Sequence, residues 1–427
     1  MLNQLFQSNK KFLLPLLLLT YTTNADTYLP SKAYRIPKET VSEESGYFSI
    51  IEGLDKKVYV GTAKYGSNAY LVEFDPEEES MRIVVDAHKE IGTSPSGFAA
   101  QAKIHTRNNV GRSGRIYFGT KQGYPQKGES RELYPGGYPM WYDPKTGKTR
   151  VYPIPIKGHG IISVTPDEPR GIAYVSTCTD SRPADSTNFM VLDLETGKYK
   201  DLGDLQHMYA FIVVDAKGRA YHPVEGGKIA RYDPDTEKLE HLVQKIDGNA
   251  PTEESLLAKE NGHPINWDIT PDRKTMYAVA MSGNQLYKYD LTGNGKVLEG
   301  KSLGKLLACA EKTDCRAMCV GPKGTVWAAV LDKGQGKKRM RALHLVSYQE
   351  GDSAPKSHGK LYVTNPGYTK FSDSEGKPNR WHHGMKKLED GRMVPWYHMG
   401  VCEARDGSVY MTVIYPYTLL KISKDDL

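Results

Sequence analysis

The sequence predicts an all-β chain built as a ring of four-stranded units. Three observations predict it: a recurring turn phrase, a strand–turn–strand phrase ahead of each copy, and a repeat of about 40 to 60 residues. The turn phrase reads "EFDPEEESMRIV", "WYDPKTGKTRVY", "VLDLETGKYKDL", "RYDPDTEKLEHL" and "KYDLTGNGKVLEG". Each copy is an apolar strand, an aspartate, a Pro/Thr/Gly turn and a second strand. The aspartates are Asp75, Asp143, Asp193, Asp233 and Asp290. Asp at the head of such a turn accepts from its backbone amides, so its recurrence needs no catalysis. The preceding phrase joins two strands through turns such as "PDRKT" and "AKGR". Together the phrases give four strands per unit, the signature of a β-propeller, and the count gives seven blades, with six or eight left open.

From the N-terminus, Lys10 and Lys11 precede "FLLPLLLLTY", with Ala25 at a cleavage-like position. This reads as a signal peptide over residues 1–25, and the run is too short for a membrane span. The expected location is therefore secreted or periplasmic. Residues 26–427 read as a single seven-bladed propeller domain. "AYRIPKE" at 33–39 is expected to close the ring on the last blade. The units start near Tyr47, His105, His159, Tyr209, Ile265, Cys315 and His398. The last two units keep only the hairpin, in "CRAMCVGPKGTVWAAV" and "MGVCEARDGSVYMTV". The Gly-, Ser-, Asp- and Lys-rich stretch at about 349–395 reads as an insertion ahead of the final blade. The terminal "KDDL" has only a faint likeness to a lumenal retention signal.

Net charge is +6, with no long Lys/Arg block, which argues against nucleic acid and is compatible with a polyanion. Tyrosine is over-used, 28 against 9 Phe, and suits both strands and sugar-stacking surfaces. Five cysteines rule out a fully paired framework. A Cys309–Cys315 bridge and buried free thiols are both open.

Registering the units on one another locates a site. His105 lies eleven residues ahead of Ile116, the first residue of its second strand. The same count reaches Tyr47, Tyr209, Ile265, Cys315 and His398, and His159 after a longer turn is allowed for. The first strand of a propeller blade lines the central channel, so these positions converge on one mouth. Three of the seven are His, from a chain with 12. Arg107, His263, Asn266 and Arg316 lie beside them. Tyr221 and His222 fall one strand further out. His382 and His383 sit in the insertion and either edge the pocket or form an ordinary surface pair.

No Asp or Glu occupies the registered positions, so the paired carboxylates of a glycosidase are missing there. His, Tyr, Asn and Arg suit β-elimination from a uronic acid. A base removes the C5 proton, a cation or amide steadies the developing charge, and an acid protonates the leaving oxygen. His105, His159 and Tyr209 are the candidate catalytic residues. Arg107, Tyr221, His222, His263, Asn266, Arg316, His382, His383 and His398 are candidate substrate contacts. A non-catalytic sugar- or protein-binding propeller is the bland alternative.

The segments "VYVGTAKYGSNAYLVEFDP", "AKIHTRNNVGRSGRIYFGTKQGYP", "GGYPMWYDPKTGK", "GHPINWDITPD" and "CRAMCVGPKGTVWAA" resemble a secreted seven-bladed propeller family. That family acts on L-rhamnose α-1,4-linked to D-glucuronate, the cap of arabinogalactan and gum arabic side chains. It includes rhamnosyl-glucuronate lyases and relatives described as rhamnosidases; ulvan lyase propellers are more distant. The resemblance implies a monomeric lyase on a uronate polysaccharide with His105 leading the chemistry. It leaves hydrolysis as an α-L-rhamnosidase, or action on ulvan, as alternatives. It also implies a structural Ca2+ or Zn2+ without fixing ligands. The rhamnosidase relatives carry a catalytic His on the opposite face, in the first blade. Here that blade reads "ESGYFSIIEG", without histidine.

Overall fold

In a computed structural model the chain is described over residues 27–41, 48–179, 186–206, 211–224, 226–252, 265–334, 342–365, 385–395, 397–414 and 417–427. The proposed signal peptide, Tyr47, Tyr209, His263, His382 and His383 lie outside those residues.

The described strands fold as successive antiparallel meanders. The first joins Ile50–Glu52, Val58–Gly61, Tyr70–Asp75 and Ser80–Asp86 in that order. The third joins Gly160–Asp167, Ile172–Cys178, Asn188–Asp193 and Tyr199–Asp204. The opening strands touch one another in chain order from the second meander to the last, that of the last touches that of the first, and a Ser49–Asn108 hydrogen bond links the first meander to the second. The meanders therefore stand radially around one axis, with their opening strands innermost. Outer strands also zip neighbouring meanders together, as where Lys238–Ile246 runs parallel to Val297–Lys305.

Local chemistry explains the turns. The Asp75, Asp143, Asp193, Asp233 and Asp290 carboxylates each accept from the amide two residues on, at 2.8–3.0 Å. Each such bond adds about 0.5–1.5 kcal/mol net and fixes the angle between the two outer strands.

Closure uses the N-terminus. Tyr28–Arg35 pairs antiparallel with Thr418–Ile422, Lys32 facing Lys421, and parallel with Lys356–Val363. The strand begins five residues earlier than the sequence suggests, and Lys38–Thr40 is a 3-10 turn. The stretch read as an insertion at 349–395 needs correction over Lys356–Val363, which is an outer strand of the sheet. Its inward positions Gly359, Leu361 and Val363 are buried while polar residues between them face outward, which disguised it as loop. A hairpin, Met385–Lys387 with Met393–Pro395, pairs onto its end.

No disulfide forms: Cys178, Cys315, Cys319 and Cys402 are buried thiols and Cys309 is exposed, so the Cys309–Cys315 bridge is absent. Among the described residues no helix is long and apolar enough to cross a membrane.

Candidate functional site

The sequence stretch around His105 forms an interrupted inner strand. Lys103–Ile104 and Asn109–Val110 pair with Ile116–Lys121, and the four residues between them leave the ladder. Side chains replace the missing bonds. Thr106 Oγ1 accepts from the Gly119 amide at 3.1 Å. The Asn108 amide donates to the Tyr59 carbonyl at 3.3 Å, and its carbonyl accepts from Ser49 at 2.6 Å. Thr106 thus ties the break to the second strand of its own meander, and Asn108 ties it to the neighbouring one.

Arg107 crosses the channel from the same break. Its guanidinium donates to the Trp267 carbonyl (2.6 Å), the Asn266 side-chain carbonyl (2.5 Å) and the Met318 carbonyl (3.1 Å), and lies 3.6 Å from Asp268. It also packs 4.9 Å from the Phe211 ring. Phe211 stacks edge-on against Phe48, which stacks edge-on against His105. The sequence His105, Phe48, Phe211, Arg107 forms a plug along the axis, dividing the channel into two ends.

At the leading end, where the inner strands begin, His105 and His159 are buried. The His159 ring Nδ1 is 3.0 Å from Thr177 Oγ1. Burial, and then the charge of Lys121, hold its pKa below the usual histidine value, so the ring is neutral at pH 7 and able to accept a proton. Lys121 directly faces Lys103 across the strand pair. Cys315 and His398 also fall at this end. The His398 ring accepts at Nε2 from the Arg316 amide (2.9 Å), and burial pushes its pKa down to about 4. The Arg316 guanidinium pairs with Asp314 at 2.9 Å beside the Tyr397 ring.

The structure therefore brings His105, His159, His398 and Arg316 to one end, but not all in the same capacity. His398 spends its acceptor on backbone, so it holds Arg316 in place. Arg107 and Asn266 lie deeper: the Asn266 amide donates to the Arg316 carbonyl (2.5 Å), so both its polar ends are engaged. Tyr221 and His222 are not at the mouth. As consecutive strand residues they face opposite sides of their sheet. Tyr221 donates to Asp215 at 2.9 Å, while His222 sits 3.0 Å from Ser176 and 2.6 Å from the Pro223 carbonyl, inside the adjoining packing layer. Sequence registration missed Lys103, Lys121, Gln122, Phe48 and Phe211. The available signal was hairpin geometry: the end of a second strand lies beside the start of the first.

At the trailing end the inner strands run into acids tied to arginines: Glu52 with Arg405 (2.8 Å), Asp167 with Arg170 (3.0 Å) and Asp215 with Arg219 (2.6 Å). A recess opens here, lined by Arg107, Asn109, Thr165, Phe211, Asp268 and Arg273 among others. Among the described residues no group of three or more His, Cys, Asp or Glu side chains could hold a metal ion, so the expected Ca2+ or Zn2+ finds no ligand set there.

No protein-family model and no curated protein sequence matches the chain. Solved structures do match its fold. A streptogramin B lyase superposes with TM-score 0.54 at 14% identity, over 92% of this chain and 96% of that one. The β-propeller domain of Cps50 (Swd1) from Myceliophteria thermophila gives 0.53 at 10% identity, over 92% of this chain and all of that domain. The extracellular domain of the putative hybrid two-component system BT4673 from B. thetaiotaomicron gives 0.51 at 11%, over 92% of this chain but 40% of that one. With the radial meanders, these likenesses make the chain an all-β propeller.

Proposed function

We propose that the chain is a seven-bladed propeller that works as a secreted or periplasmic polysaccharide lyase at the leading end of its channel. The substrate is a uronate glycan carrying terminal L-rhamnose on D-glucuronate. One observation carries the reading: buried histidines, with the pKa of His159 held down by burial, share that end with Lys103, Lys121 and Arg316, whereas most acids of the inner strands stand at the other end. This separation suits elimination, which needs a neutral base and fixed positive charge, and does not suit a pair of carboxylates flanking a glycosidic bond.

In the proposed step His105 or His159 takes the C5 proton. The electron pair forms the C4–C5 double bond, and the C4–O bond breaks. Rhamnose leaves with its oxygen protonated by the second group, for which Tyr209 is the sequence's candidate. The cations stabilise the negative charge that develops on the carboxylate during proton removal. The streptogramin B lyase likeness supports the scaffold alone.

The test is incubation of purified protein with gum arabic and a panel of uronate glycans. Rhamnose release with a rise in the ultraviolet absorbance of an unsaturated uronate supports the reading. Rhamnose release without that rise replaces it with hydrolysis. No release from any member of the panel removes it.

A further inference from the structure

Lys121 is more than nine-tenths buried, and its ammonium touches only the Cys178 sulfur (3.1 Å) and the Thr179 carbonyl (3.4 Å) among the described residues. A buried ammonium with a thiol and one carbonyl for company is poorly compensated. Its chain neighbour Gln122 is 1% exposed, and among the described residues neither the amide nitrogen nor the oxygen of its side chain has a hydrogen-bond partner. Unpaired buried amides are rare because each lost bond costs desolvation.

The Lys121 stem and the Gln122 side-chain oxygen both pass over Gly160. A Cβ placed on Gly160 would lie 2.3 Å from Lys121 Cγ and 2.5 Å from Gln122 Oε1. Gly160 follows His159, whose pKa already senses Lys121. The missing side chain at Gly160 is thus what lets Lys121 and Gln122 reach the flank of a candidate catalytic histidine.

We propose that Lys121, Gln122 and His159 form a carboxylate-binding subsite for a sugar acid at the leading end. This rests on the lyase reading for its place in a reaction, but not for its chemistry. The ammonium and the Gln122 amide hydrogens are donors for a carboxylate. The Gln122 oxygen needs a donor, which a sugar hydroxyl supplies and sulfate lacks. The set therefore fits a carboxylate beside a hydroxyl better than an inorganic anion.

The experiment is calorimetric titration of the full chain with glucuronate, glucose and sulfate, for wild type, Lys121→Met, Lys121→Arg and Gly160→Ala, with unfolding midpoints alongside. Wild type is expected to bind glucuronate in preference to both glucose and sulfate. Lys121→Met and Gly160→Ala should each weaken glucuronate binding about tenfold or more, as for loss of a charged hydrogen bond. Lys121→Arg should retain part of it. The ligand-free midpoint of Lys121→Met should stay level or rise, because an uncompensated buried charge is gone. A lower midpoint with glucuronate affinity unchanged would make Lys121 a structural residue and overturn the proposal. Sulfate binding equal to or tighter than glucuronate would overturn the sugar-acid assignment. Lys121-dependent glucuronate binding without any unsaturated product sinks the lyase reading and leaves the subsite. Product formed by Lys121→Met at the wild-type KM does the reverse.

Discussion

The two ends of the channel are built from the same strands yet differ in charge and in how that charge is held. The leading end gathers His105, His159, Lys103, Lys121 and Arg316, the last paired with Asp314, and the Lys121 ammonium there meets only a thiol and a carbonyl among the described residues. The trailing end gathers Glu52, Asp167 and Asp215, each with an arginine between 2.6 and 3.0 Å away. Those pairs sit where an inner strand turns into the second strand of its meander, so they fasten turns and, through Glu52 and Arg405, neighbouring meanders. The difference teaches that polar content alone does not mark a site. A satisfied polar group stabilises the ring, while a poorly satisfied one is where a ligand has most to contribute.

Three experiments bear on that contrast. The largest effect is expected from His105→Ala, which should lower turnover on the responsive glycan by about 10²–10⁴, the range for losing a general base or acid. Full retained turnover would mean that the chemistry lies elsewhere on the ring. Next, Arg107→Met should destabilise the fold by about 2–4 kcal/mol in urea unfolding, because it leaves Asn266 and Asp268 facing a hole in the plug. Arg273→Ala, on the exposed rim of the same recess, should stay within about 0.5 kcal/mol. Equal effects from the two would dissolve the distinction between plug and rim.

The third experiment concerns pH. Burial pushes the folded pKa of His222 and of His398 down to about 4 from 6.5. Between those values the unfolded chain binds protons that the folded chain refuses, so stability is whole above pH 6.5 and lost as pH falls toward about 4. Thermal midpoints should therefore decline through that window. His222→Gln should flatten the decline, since it removes one depressed histidine. A midpoint independent of pH across the window would contradict the burial of both rings.

Much of the fold was legible in the sequence because its signals are local. The aspartate turns at Asp75 through Asp290 need only their own neighbouring amides, and each formed as the repeat implied. Lys356–Val363 was not legible, since its charged outward residues give the composition of a loop and one of its pairing partners, Tyr28–Arg35, lies over 300 residues away. The site divides in the same manner. His105, His159 and His398 could be registered because a blade repeats its first strand at a fixed distance from its second. Tyr221 and His222 could be placed one strand out but not on a side of the sheet, because adjacent strand residues face opposite sides and the count does not say which neighbour each one meets.

The sequence by itself determined the repeating meanders, the turn chemistry, the closing role of the N-terminal segment and the chain positions at which inner strands begin. Only the tertiary structure decided which polar residues are consumed by the scaffold. Arg107 and Asn266 are satisfied by atoms about 50 to 210 residues away along the chain, and Lys121 meets Gln122 at the space a side chain on Gly160 would fill. Hydrogen-bond satisfaction depends on which groups share a few ångströms of space, and chain order carries that information only for groups within the same turn.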